Sequence, residues 1–190
     1  MCRLKSGIVL KDRIYIPAHD NHTRMLEELG IRDTIRNAET RFVRFELVPP
    51  DGDVFSDIDT WQLKIDQDIC PDWFFEEVEL PKIKAAVKKW AKKHIFTDKT
   101  DLQLPAGGTY YLKNCKNATL YGNSRATLRE NSTATLWENS TATLYGNSIA
   151  ILEDSFFAAE RNNITMFDNS TVKDCRNKTI TSAAIGRQWR

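Results

Sequence analysis

Residues 118–155 read ATLYGNSR, ATLRENST, ATLWENST, ATLYGNSI and AILEDS, and the fold turns on this stretch. Ala118, Ala126, Ala134, Ala142 and Ala150 recur every eight residues, and Leu120, Leu128, Leu136, Leu144 and Leu152 follow two positions later. Asn123, Asn131, Asn139 and Asn147 close each unit. A fixed short period of this kind marks a repeat architecture. In an extended chain the alanine and the leucine point to one side, and Thr127, Thr135 and Thr143 to the other. The Gly-Asn-Ser or Glu-Asn-Ser that follows supplies turn chemistry, since Asn tolerates the left-handed conformation and bonds its own backbone. Each octad thus reads as one short strand and one corner. A helix fails, because it would set Ala and Leu roughly 200° apart around its axis.

The flanks keep the frame. Tyr110 with Leu112, and Leu102 with Leu104, precede the clear octads, with Gly107 and Cys115 at the asparagine position. Beyond them come Ala158, a shortened unit at Ile164 and Met166, then Val172 with Asn169 and Ile180 with Asn177. The expected fold is an α+β domain over residues 1–98, a β-solenoid of eight-residue repeats over 101–182, and a tail or cap over 183–190. Two octads per coil, about five coils in all, suit paired strands with tight corners, and three octads per coil is the alternative. With two, residues sixteen apart stack: Tyr121, Trp137 and Glu153 on one outer face, Arg129, Tyr145 and Arg161 on the other, the latter an arginine–aromatic ladder.

Composition narrows the function classes. The 190 residues carry 27 Lys plus Arg against 26 Asp plus Glu, a balance that favours neither a nucleic-acid binder nor an acidic DNA mimic. No apolar run reaches membrane-spanning length, and Cys2-Arg3-Leu4-Lys5 offers no signal-peptide core, so a cytoplasmic protein is expected. Cys2, Cys70, Cys115 and Cys175 form no zinc spacing and read as free thiols. The Asn-x-Thr sequons at Asn131, Asn139 and Asn169 follow from the repeat. Neither a cofactor motif nor a metal motif stands out.

In the N-terminal half, GIVLKDRIYIP (7–17) reads as a hairpin around Lys11-Asp12. Asp20 or Asn21 then caps a short helix that buries Met25, Leu26 and Leu29 and stops at Gly30. His19, Asp20 and His22 allow a metal or acid–base reading, weighed against a plain polar helix start, which the missing third ligand favours. Val43, Phe45 and Leu47 alternate, as do Trp61, Leu63 and Ile65, predicting paired strands of one antiparallel sheet. Asp51, Asp53, Asp57 and Asp59 between them read as turn carboxylates. Trp73, Phe74 and Phe75 read as core or as a plug against the sheet. Pro81 is expected to open a helix to His94, with Ile83, Val87, Trp90 and His94 on one side and Lys82, Lys84, Lys88, Lys89, Lys92 and Lys93 on the other. That lysine face suits phosphate or an acidic protein, or is simply solvated. Phe96 to Asp101 reads as a polar link between domains, although the helix could instead cap the first coil.

The octads resemble the half-repeats of bacterial ice-nucleation proteins and, more loosely, the short-repeat solenoids of pentapeptide-repeat proteins. MCRLKSGIVLKDR, PPDGDVFSDIDTW and AVKKWAKK resemble a family of uncharacterised phage and gut-bacterial proteins with similar octad tails. Ice binding needs a long flat TxT array, which Ile149 and Ile151 interrupt after Thr133-Ala134-Thr135 and Thr141-Ala142-Thr143. DNA mimicry needs an acidic face, and Arg125 and Arg129 stand among Glu130 and Glu138.

Three functions compete. The first is a non-enzymatic binding protein using Tyr121, Trp137, Arg129, Tyr145 and Arg161 on a rigid surface. The phage resemblance implies a host-defence or replication protein as its partner, with an anti-CRISPR-like nuclease inhibitor as one case. The second is nucleic-acid binding through the lysine helix. The third is an enzyme with Cys2 as an N-terminal nucleophile. A homodimer through the C-terminal coil is also expected, with Ile185 and Trp189 covering the last coil or meeting a second copy and Arg187 and Arg190 making the tail basic.

Overall fold

The computed structural model describes residues 5–153, 164–175 and 179–183, and the chain divides into two compact units, 1–93 and 94–190. Cys2, Ala158, Arg161, Asn177, Ile185, Arg187, Trp189 and Arg190 lie outside the described residues.

The first unit is built on a four-stranded antiparallel sheet. β1 (Lys5–Leu10), β2 (Ile14–Tyr15), β3 (Phe42–Val48) and β4 (Gln62–Ile65) lie in the order β2-β1-β3-β4. Gly7 is paired with Phe45 across β1 and β3. A Cβ on Gly7 would fall 2.5 Å from the Phe45 ring, so the close approach demands glycine there. α1 (His22–Glu28) begins where the Asn21 side chain accepts from the Arg24 N–H, and Gly30 turns the chain away at φ 65°. Met25 and Leu26 bury against Ile8, Ile31 and Phe42, with Leu29 packed at the margin. α2 (Ile35–Ala38) is a single turn capped by Thr34.

α3 (Glu76–His94) starts ahead of Pro81 rather than at it. Glu76, Glu77 and Glu79 crowd its first turn, where carboxylates meet the positive helix end. Pro81 sits early enough to keep the helix intact, although it withholds one N–H from the ladder. Ile83, Val87 and Ala91 are the buried stripe, while Trp90 and His94 are half-buried. The expected aromatic plug is also corrected. Trp73 and Phe74 are half-buried, and Phe75 is 58% exposed. The Trp73 Nε1–H donates to the Thr40 carbonyl at 3.0 Å, which satisfies the indole without full burial.

The second unit is a β-solenoid of about four turns over residues 95–152. One side is a five-stranded parallel sheet of β5 (Ile95–Thr97), β7 (Thr109–Lys113), β9 (Arg125–Arg129), β11 (Thr141–Leu144) and β13 (Ile164–Met166). The other is a sheet of β6 (Gln103–Leu104), β8 (Ala118–Leu120), β10 (Thr133–Leu136), β12 (Ile149–Leu152), β14 (Thr171–Asp174) and β15 (Thr179–Ser182). Ala118, Ala134 and Ala150 are Cα partners in one sheet, and Ala126 and Ala142 in the other. All these alanines and their leucines are buried in one core shared by both sheets.

Several expectations change here. Ile95–Thr97, part of it read as a link, pairs with β7 and begins the five-stranded sheet. Ile164 pairs with Ala142, and Val172 with Ala150, so this rung is lengthened by the segment before it rather than shortened. β15 runs antiparallel to β14, and Ile180 is 72% exposed instead of continuing the inward stack.

The corners differ too. The left-handed residue is the one before the asparagine: Gly122 (φ 63°), Glu130 (60°), Glu138 (56°), Gly146 (68°) and Asp168 (56°). Asn147 Nδ2 instead donates to Asn131 Oδ1 at 3.4 Å, and Asn169 Nδ2 to Asn147 Oδ1 at 3.5 Å, so these asparagines form a ladder between coils. The serine after each asparagine is wholly buried. Ser124, Ser132, Ser140, Ser148 and Ser170 all have no exposed surface. Ser132 Oγ donates to the Arg129 carbonyl at 2.7 Å and accepts from the Cys115 N–H at 3.1 Å. Inside the corner this hydroxyl accepts from a backbone N–H of the neighbouring coil while donating within its own, and so ties one coil to the next.

Candidate binding surface

Alternation leaves Tyr111, Lys113, Arg125, Thr127, Arg129, Thr143 and Thr165 pointing outward from the five-stranded sheet. None of the strand residues of that sheet is acidic. Arg129 lies with its guanidinium 5.6 Å from the centre of the Tyr145 ring. Tyr145 in turn stacks on Phe167, centroids 4.8 Å apart and planes within 5°. The Tyr145 N–H bonds the Leu128 carbonyl and the Phe167 N–H the Leu144 carbonyl, which sets the three side chains on successive rungs. The ladder expected at Arg129, Tyr145 and Arg161 therefore holds Phe167 in its third place, because the longer rung carries 164–167 up to Tyr145. Lys113 pairs with Glu130 at 3.2 Å at the edge of the same face.

The six-stranded side has another character. The Trp137 N–H bonds the Leu120 carbonyl and the Glu153 N–H the Leu136 carbonyl, so Tyr121, Trp137 and Glu153 follow one another up this side. Tyr121 also donates from its hydroxyl to Gln103 Oε1 at 3.1 Å. Among the described residues of the unit, the large exposed apolar side chains, Tyr121 at 40%, Ile149 at 37% and Ile180, all lie on this side. The edge of β14, which the sequence leaves open to a second copy, carries β15 of the same chain.

In the first unit the lysine face is partly neutralised. Lys82 pairs with Glu79 at 2.7 Å and Lys88 with Asp59 at 2.6 Å, while Lys84 donates to the Asp59 carbonyl. The Lys88 ammonium holds the Asp59 carboxyl below its usual range, against a smaller opposing effect of burial. Lys89, Lys92 and Lys93 stay exposed toward the helix C-terminus, where the helix dipole itself favours cations. Asp53 and Asp57 are turn carboxylates, accepting from the N–H groups of Phe55 and Asp59.

The histidine cluster disperses. His19 Nε2 meets Glu28 at 3.1 Å, while His22 Nδ1 meets Asp66 at 2.8 Å and its Nε2 the Phe45 carbonyl at 3.1 Å. Asp20 instead pairs with Lys5, which is 1% exposed and also donates to the His19 carbonyl. Its ammonium lies 5.1 Å from the centre of the Trp90 ring. Burial pushes the Lys5 ammonium below its ordinary range despite Asp20. Among the described residues no three His, Cys, Asp or Glu side chains gather to hold a metal ion. Cys70, Cys115 and Cys175 are free thiols, and desolvation pushes each upward, away from the thiolate that a nucleophile needs. Among the described residues no helix is long and apolar enough to cross a membrane.

The sequence pattern indicated the aromatic and arginine columns. Phe167, the buried serines and the buried Lys5 escaped it. Phe167 was hidden by the break in period, the serines by their ordinary turn role, and Lys5 by the rule that lysines face water. No protein family, curated protein or solved structure matches the chain.

Proposed function

We propose that the protein is a non-enzymatic binding protein whose solenoid presents a preformed docking surface. Each coil is read as two octads, a reading supported by Cα partners sixteen residues apart in both sheets. The observation that carries the function is the Arg129–Tyr145–Phe167 stack, fixed rung by rung on a sheet whose corners are locked by buried hydroxyls. Such side chains lose little conformational freedom on binding, which favours affinity. Arginine and tyrosine are also the residues that dominate protein interfaces. In the setting implied by the phage resemblance, the partner is a host-defence or replication protein, and a nuclease inhibitor of the anti-CRISPR kind falls within that class.

The test is capture from a bacterial lysate by the wild-type chain and by two folded surface variants, Arg125→Glu and Ile149→Lys. The expected result is a stoichiometric protein that is lost with one of the two. A wild-type chain that retains nothing beyond what both variants retain refutes the reading.

A further inference from the structure

We infer that the first unit carries a small-molecule site of its own, and that it takes a phosphate monoester joined to an apolar body. The inference goes beyond the solenoid's binding function and does not depend on it. A cavity of about 350 Å³ opens between the β1–β2 turn, the end of α1 and the entry to β3. Pockets for small ligands start at about 300 Å³. Lys11, Arg13 and Arg41 line the cavity, and all three are exposed. Asp12 brings the one carboxylate on the lining, and Leu10, Leu29 and Ile31 make an apolar wall.

These cations differ from others in the unit. Lys5, Arg24, Arg44, Lys82 and Lys88 each meet a carboxylate. Among the described residues, the side chains of Lys11, Arg13 and Arg41 meet none, Asp12 included. Like charges gathered on one concavity repel, and an anion that enters is attracted by all three. The walls are fixed by backbone bonds. Leu10 N–H bonds the Arg13 carbonyl, Ile31 N–H the Leu26 carbonyl and Arg41 N–H the Asn37 carbonyl, each at 2.8 Å. The pairing of Leu10 with Phe42 sets Arg41 beside the turn. Binding therefore orders side chains and not backbone.

The lining selects the ligand. Three cations against one carboxylate match a phosphate monoester, which carries about two negative charges at neutral pH. Guanidinium groups meet its oxygens in parallel pairs. A carboxylate brings half that charge. Inorganic phosphate leaves the wall of Leu10, Leu29 and Ile31 wet, whereas an apolar ester group covers it.

The experiment titrates the full chain with hexyl phosphate, inorganic phosphate and hexanoate by calorimetry, and with phosphatidylcholine vesicles with and without phosphatidic acid. The variants are Lys11→Gln, Arg13→Gln/Arg41→Gln and, as a control on the exposed end of α3, Lys92→Gln/Lys93→Gln. All lie at exposed positions, and circular dichroism checks each fold. Hexyl phosphate is expected to bind saturably, at least fivefold tighter than inorganic phosphate or hexanoate. The double arginine variant should weaken it at least tenfold and Lys11→Gln several-fold, with the control unchanged. Amide NMR shifts should gather at residues 10–13, 29–31 and 40–41. Binding of phosphatidic acid vesicles with the same variant pattern upholds the site and assigns the monoester to a lipid headgroup. Binding of hexyl phosphate without the vesicles upholds it and assigns a free metabolite. The inference is overturned by hexanoate or inorganic phosphate binding as tightly, by an equal loss in the α3 control, or by saturable binding of neither hexyl phosphate nor phosphatidic acid.

Discussion

The two units bury polar groups in opposite ways. The solenoid distributes them: one serine hydroxyl at each Asn-Ser corner, with the same bond to the carbonyl three residues back at Ser124, Ser132, Ser148 and Ser170. The first unit concentrates them in one place, where the Lys5 ammonium at the start of β1 is held by Asp20, the His19 carbonyl and the Trp90 ring. A repeat spreads its stability over nearest-neighbour contacts, so a defect is shared by the rungs that touch it. A single-copy ion pair has no second copy to share with.

Leu136→Ala is expected to give the largest loss, about 4 kcal/mol, because its side chain is fully buried between rungs and leaves a cavity. Hydrogen exchange should rise in β8, β10 and β12 while the amides of β1 and β3 keep their protection. Equal loosening of both units would break the contrast drawn above.

Asp20→Asn comes next, at about 3 kcal/mol, because it leaves the buried Lys5 charge without its partner. Lys5→Met should cost far less, since it removes the charge along with the need to pair it. The loss in Asp20→Asn should appear in β1 and α1, where the Asp20 carboxylate also accepts from the Ser6 N–H. The pH dependence has a fixed sign. Lys5 titrates below 10.5 in the folded chain, so between its lowered value and 10.5 the unfolded chain binds more protons. Wild type should gain stability relative to Lys5→Met as pH rises through that window, and chemical denaturation at a series of alkaline pH values reads it. A difference that stays flat, or falls, would remove desolvation as the dominant influence on Lys5.

The same contrast explains what the sequence disclosed. Alanine and leucine at a fixed interval report their burial directly, because nothing but a shared core rewards that spacing. Serine at the corner is ambiguous, since the residue that suits a turn also suits a buried backbone cap. Lys5 gives no local sign at all. Its partners, Asp20 and Trp90, are far along the chain and come together only in the folded sheet and helix. Phe167 fell out of view for a related reason: pairing, not counting, decides which rung a strand joins after the period breaks. The arginine–aromatic column was legible as a series of residue types, but its third member depended on that register.

The smallest effect probes how interchangeable the octads are. Glu130 and Glu138 occupy the left-handed position that Gly122 and Gly146 fill in other octads. A residue with a Cβ is strained there by about 1 kcal/mol, so glycine should relieve both sites alike if the repeats were equivalent. They are not. Glu138 Oε2 accepts from the Gly122 N–H at 2.7 Å, whereas Glu130 offers a 3.2 Å pair with Lys113 at the surface. A charged acceptor on a backbone donor contributes more than an exposed ion pair. Glu130→Gly is therefore expected to stabilise the chain by about 0.5–1 kcal/mol, and Glu138→Gly to leave it about neutral because the lost bond offsets the relieved strain. Urea midpoints of the two variants measure the difference. Equal shifts would mean that the carboxylate of Glu138 adds nothing to its corner, and the solenoid would then be more uniform than its side-chain bonds indicate.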